Sequence, residues 1–106
     1  GYGKLLHGEA ISLGLRAAAW LSTQMSGLNA QEHDRIVNLL KRFELPVTLG
    51  EEFSTEEIMR IARMDKKFEK GRIRFVLLKK AGEAYLSKDV LEGHLINALD
   101  EIRKPV

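Results

Sequence analysis

The sequence predicts a mainly α fold: a compact bundle of about four helices with a small β-hairpin before the last. Three observations lead there. Apolar residues recur at helical spacing over four separate stretches. Asn29 with Glu32, and Ser54 with Glu57, each place a capping side chain three residues ahead of an acid, as at helix starts. Only Arg72 to Leu78 alternates charged and β-prone residues.

The first helix runs from Glu9 to about Ser26, with Ala10, Leu13, Ala17, Ala18, Leu21 and Met25 on its apolar face and Ile11 and Trp20 widening it. Gly14, Ala17 and Ala18 keep that face thin, so close packing is expected at Gly14. Arg16 and Gln24 take polar positions, and Gly27 suits the helix end. The same face, carrying Ala10, Leu13 and Ala17, is expected to be adhesive if another part of the protein normally covers it. The second helix starts at Asn29, buries Ile36, Leu39, Leu40 and Phe43, and closes ahead of Pro46. His33 sits among Glu32 and Asp34 on its polar side. Ser54 opens a short third helix with Ile58, Ile61 and Ala62 inward, running toward Met64-Asp65-Lys66-Lys67 until Gly71 breaks it.

Arg72 to Leu78 reads as a strand, Lys79 to Gly82 as a turn, and Glu83 to Leu86 as the return strand. Ser87 then caps the last helix, Lys88 to about Arg103, with Val90, Leu91, Leu95, Ala98, Leu99 and Ile102 inward and His94 partly covered.

At 106 residues the chain is a single domain, 1–106, able to bury one modest core. Hydrophobic residues at 44% with 30% charged are ordinary for a globular protein. A net charge of +2, with both signs interspersed, gives no electrostatic footprint for nucleic acid. With no cysteine there is neither a disulfide scaffold nor a thiolate metal site. No apolar run reaches membrane-spanning length, so a soluble, cytoplasmic protein is expected.

Leu6-His7-Gly8-Glu9-Ala10 carries a histidine where a glycine-rich lead-in becomes a helix. Read by itself, His7 is a surface loop histidine, since no second ligand follows at i+3 or i+4. Glu9 is a first-turn acid favoured by the helix dipole, or a group orienting the loop around His7. Asp65-Lys66-Lys67 with Glu69-Lys70 is by itself a solvated charge run. No Ser/His/Asp arrangement and no phosphate-cradling glycine motif stands out.

The run from Tyr2 through His7-Gly8-Glu9-Ala10 to Leu15 closely resembles the segment that opens the C-terminal domain of 3-dehydroquinate synthases. Two more stretches match in the same order. Leu39 to Val47 is similar to that family's helix ending in a Gly-Leu-Pro turn, with Glu44 in place of Gly. Met64-Asp65-Lys66-Lys67 followed by Gly71 to Leu78 is similar to its Asp-Lys-Lys motif and the hydrophobic strand beyond. Members of that family are longer, with an N-terminal NAD-binding domain and a histidine-rich run that this chain lacks.

The resemblance implies the C-terminal metal and substrate domain of a two-domain enzyme, here without its N-terminal half. It implies conversion of 3-deoxy-D-arabino-heptulosonate 7-phosphate to 3-dehydroquinate and phosphate, with NAD and zinc, or another divalent metal such as cobalt, as cofactors. His7 would then be one of three metal ligands, the other two lying upstream. Lys66, or Lys67 if the register is shifted by one, would meet the substrate's phosphate. A lone histidine does not hold a catalytic zinc, so the 106-residue chain by itself is expected to bind metal weakly and to be inactive. The parent would be a homodimer. The alternatives are another sugar-phosphate cyclase, such as 2-deoxy-scyllo-inosose synthase, or a helical interaction module without catalysis.

Overall fold

The computed structural model describes residues 7–106, His7 through its backbone alone. Helix α1 (His7–Met25) is the central element, packed against α2 (Ala30–Arg42), against a three-stranded antiparallel sheet and against α4 (Glu92–Ile102). Next in chain order is α3 (Thr55–Arg63), which packs against α4 and the start of the sheet. The sheet is formed by β1 (Phe68–Glu69), β2 (Arg72–Lys80) and β3 (Glu83–Leu91), in that spatial order. The mainly α bundle with a small sheet ahead of the last helix is thus the observed architecture. Among the described residues no helix is long and apolar enough to cross a membrane.

Leu13, Ala17 and Leu21 of α1 meet Met59, Leu77, Val90, Leu95, Ala98, Leu99 and Ile102 in one core. Ala17, Ala19, Ser12 and Ser22 are all buried, so the small residues of α1 do allow close approach. Gly14 is different: it is exposed, and a Cβ built there would meet nothing within 4 Å.

Asn29 and Ser54 cap α2 and α3 as their spacing predicts, accepting from the backbone N–H of Glu32 at 2.8 Å and of Glu57 at 3.1 Å. The stripe of α2 has a different phase from the one predicted. Val37 and Leu40 are buried, whereas Leu39 is 52% and Phe43 70% exposed. The apolar residues repeat at helical spacing, but the buried side of α2 is the one that carries Val37 and Leu40. The helix also stops before Pro46 can act: Glu44 adopts φ 60°, its N–H bonding Lys41 O and that of Leu45 bonding Leu40 O. That is the paired hydrogen bonding of a Schellman terminus, with Glu44 where glycine is preferred. In α3, Met59 is buried, Ile58 and Ala62 lean on the core, and Ile61 is exposed; the helix ends at Arg63, well before Gly71.

The hairpin is larger than predicted. Strand β3 runs on to Leu91, so Ser87 is a buried strand residue and not a helix cap, and Val90 faces the core from the sheet. The added residues pair Ser87 with Phe75, Val90 with Ile73 and Leu91 with Arg72, which a helix from Lys88 would forfeit. Leu91, expected inward on a helix, is instead a partly exposed strand end. It has no capping oxygen; His94 supplies the acceptor, its Nδ1 taking the N–H of Leu91 at 3.0 Å. The two-residue strand β1 adds a third strand by pairing Phe68 with Ile73 and Glu69 with Arg72.

Because β1 is so short, the far part of β2 has an open edge. Helix α1 closes it at Leu78. Ser22 Oγ accepts the Leu78 N–H at 2.8 Å and donates to Ala18 O at 2.6 Å, while Ser26 Oγ donates to Leu78 O at 2.7 Å. Both backbone groups of that edge position are satisfied.

Candidate functional site

Arg16, expected at a polar helix position, is 4% exposed. Its guanidinium donates to the carbonyls of Val47, of Ile102 at 3.0 Å, of Lys104 at 3.1 Å and of Glu101 at 3.2 Å. One planar fork thus gathers the α2–α3 loop and the C-terminal segment onto α1. Burial lowers its pKa from the ordinary value, and the charge of Glu101 acts against that. Ser12 adds a tether beside it, donating to Pro46 O at 2.6 Å. Together they fix the frame from which the N-terminal turn of α1 projects.

His7 opens that helix, and its side chain lies outside the described residues. Glu9 follows in the first turn, partly buried. The other histidines are engaged elsewhere: His33 Nδ1 is 3.0 Å from Asp34 Oδ1, and His94 caps α4. Among the described residues no three His, Asp or Glu side chains are grouped to hold a metal ion. The described chain therefore does not fit a self-contained metal centre. Among the described residues the sheet is antiparallel, without the strand–loop–helix crossover of a Rossmann-type fold.

Lys66 and Lys67 are both exposed in the turn between α3 and β1. That turn is shaped by Asp65, whose Oδ1 accepts the Lys67 N–H at 2.8 Å, and by Phe68 N–H bonding Asp65 O at 3.0 Å. The two lysines part company there. Lys67 lines an open cleft of about 430 Å³ together with Lys70, Arg72, Arg74, Lys88 and Glu69, while Lys66 does not. The run Lys66-Lys67 is visible in the sequence, but Arg74 and Lys88 join Lys67 only through strand pairing.

A second cleft, of about 170 Å³, is almost wholly apolar. Ala10, Leu13, Gly14 and Ala17 of α1 form one wall, and Phe53 and Phe75 stand among the residues opposite. The face expected to be adhesive is therefore only partly free: Leu13 and Ala17, which line this cleft, are core residues 6% and 3% exposed. The large apolar side chains that α1 leaves in solvent are Ile11 and Leu15.

A family model described as 3-dehydroquinate synthase C-terminal matches residues 1–68. A 3-dehydroquinate synthase of Dichelobacter nodosus is 40% identical over 89% of this chain and 26% of its own length. One from Hydrogenovibrio crunogenus is 39% identical over 97% of the chain and 29% of its own length. One from Pseudomonas fluorescens is 40% identical over 84% of the chain and 24% of its own length. The chain thus spans 24% to 29% of the length of these relatives.

Proposed function

The chain belongs to the 3-dehydroquinate synthase C-terminal family, and on that premise we propose that it is the C-terminal part of such an enzyme, inactive alone. The parent would convert 3-deoxy-D-arabino-heptulosonate 7-phosphate to 3-dehydroquinate and phosphate, on the shikimate route to aromatic amino acids, in the cytoplasm. The observation carrying this reading is the 39% identity over 97% of the chain.

In this reading the parent's cofactors, NAD and a divalent metal, are held chiefly by an upstream domain. His7 would be one of three metal ligands, the others arriving from upstream. Because the described residues supply no such group, no catalytic step follows from this chain alone. What the chain would contribute is positional. Arg16 and Ser12 brace α1, the helix whose first residue is His7. Lys66 and Lys67 would meet the substrate phosphate as mobile point charges on a turn held by Asp65. The apolar cleft on α1 suits the contact with the upstream domain, and the parent would be a homodimer.

The test joins the chain to the upstream portion of a matching relative and follows phosphate release. His7→Ala should abolish turnover, and Lys66→Ala with Lys67→Ala should raise KM for the phosphorylated substrate. Turnover indifferent to His7→Ala would reject the reading.

A further inference from the structure

We propose that the cleft between β1, β2 and the bulged start of β3's second half is an anion site for a small phosphorylated ligand. In it Arg74 and Lys88 act with Lys67. The inference rests on the reading above, that the Asp-Lys-Lys turn meets a phosphate, and extends it to residues that nothing else assigns.

The site is built by backbone pairing. Lys70 at φ 53° and Gly71 at φ 75° make the tight turn that folds β1 against β2. Glu69 pairs with Arg72 and Phe68 with Ile73, so Lys67 comes opposite Arg74, whose N–H bonds Lys67 O at 3.2 Å. On the other side the register slips: Ile73 pairs with Val90 but Phe75 with Ser87, leaving Lys88 and Asp89 facing the single residue Arg74. Arg72 and Arg74 point to the same face of the sheet, away from Ile73 and Phe75. Five cations consequently line one cleft with a single acid, Glu69.

Such an arrangement is electrostatically unfavourable as it stands, because like charges opposite each other across strands destabilise a sheet. Little in the described chain relieves it. Asp89 reaches only Arg72, at 3.8 Å between exposed groups, and among the described residues Lys67, Lys70, Arg74 and Lys88 have no ion-pair partner. Elsewhere the sequence intersperses its charges, which leaves the whole chain at only +2. The excess is local. An anion with several oxygens would satisfy it, and arginine's planar fork suits phosphate geometry. The cleft, about 430 Å³, has the size of a small-molecule site and is not a stripe of the kind that tracks nucleic acid.

The experiment titrates inorganic phosphate into the 106-residue chain at constant ionic strength, with chloride as the control anion, following backbone amides by NMR. Saturable shifts at Lys67, Arg74 and Lys88 with phosphate and not with chloride are expected. Arg74→Ala and Lys88→Ala should each weaken binding about tenfold, while Lys80→Ala at the far hairpin end leaves it within twofold. Thermal midpoints compared across the variants separate lost binding from lost folding. Equal shifts with chloride, or phosphate binding untouched by Arg74→Ala, would overturn the proposal, as would tighter binding of a single-stranded oligonucleotide than of phosphate. In the joined enzyme the two readings separate. Turnover lost on His7→Ala with KM indifferent to Arg74→Ala sinks only the cleft. Phosphate held by the cleft beside turnover indifferent to His7→Ala sinks only the enzyme reading.

Discussion

Arg16 shows how far a single side chain can depart from its sequence pattern. It falls among polar-looking positions of an amphipathic helix, yet its carbonyl partners lie 31 to 88 residues away, beyond any local window. Truncation would remove the guanidinium from the part-buried carbonyls of Val47 and Lys104 and leave Ile102 O and Glu101 O with one backbone donor each, so Arg16→Ala should destabilise the fold by about 2–3 kcal/mol. Arg16→Lys should recover only part, since an ammonium on a flexible stem cannot reproduce the fork. Urea denaturation of both variants measures this directly. Glu44 is the converse, a residue that can be improved. Held at φ 60° where an L side chain is strained, it should gain about 1 kcal/mol as Glu44→Gly, read as a raised denaturation midpoint. Gly14 belongs with it. It lies mid-helix with open space around a would-be Cβ, so Gly14→Ala should stabilise by about 0.5–1 kcal/mol, the same experiment checking the sign.

At the scale of elements, legibility followed the range of the interactions. The starts of α2 and α3 were readable because each cap and its partner lie three residues apart. The phase of α2 was not, because it depends on which side α1 presents. The boundary between β3 and α4 failed for a related reason: Ser87 followed by helix formers satisfies a local capping rule, and pairing with β2 outweighs it. Strand β1, two residues long, has no periodicity to detect. The docking of β2 on α1 likewise turns on residues that look unremarkable in sequence. Ser22→Ala would strand the Leu78 N–H at a part-buried edge and cost about 1–2 kcal/mol. Hydrogen exchange should locate that loss: the Leu78 amide loses protection more than the amides of α2, which the serine does not touch.

For the whole molecule, the candidate site was legible only as far as the resemblance reached. His7, Lys66 and Lys67 come from ordered motifs, whereas the grouping of Lys67 with Arg74 and Lys88 is a product of the folded sheet. The same holds for the apolar cleft. Ala10, Leu13 and Ala17 were visible as an apolar, adhesive face, but Phe53 and Phe75 complete the cleft from distant elements. A cleft of about 170 Å³ so poor in polar groups, next to exposed Ile11 and Leu15, is the surface proposed above for contact with an upstream domain. If the upstream domain covers it, the isolated chain should bind an apolar fluorescent dye, and joining the upstream portion should remove that binding. Gly14→Leu, which projects a side chain into the same space, should also reduce dye binding in the isolated chain. It should impair docking of the upstream domain as well, seen as lower turnover with no fall in thermal midpoint. Dye binding that persists unchanged in the joined protein would place the interdomain contact elsewhere on α1 or off it.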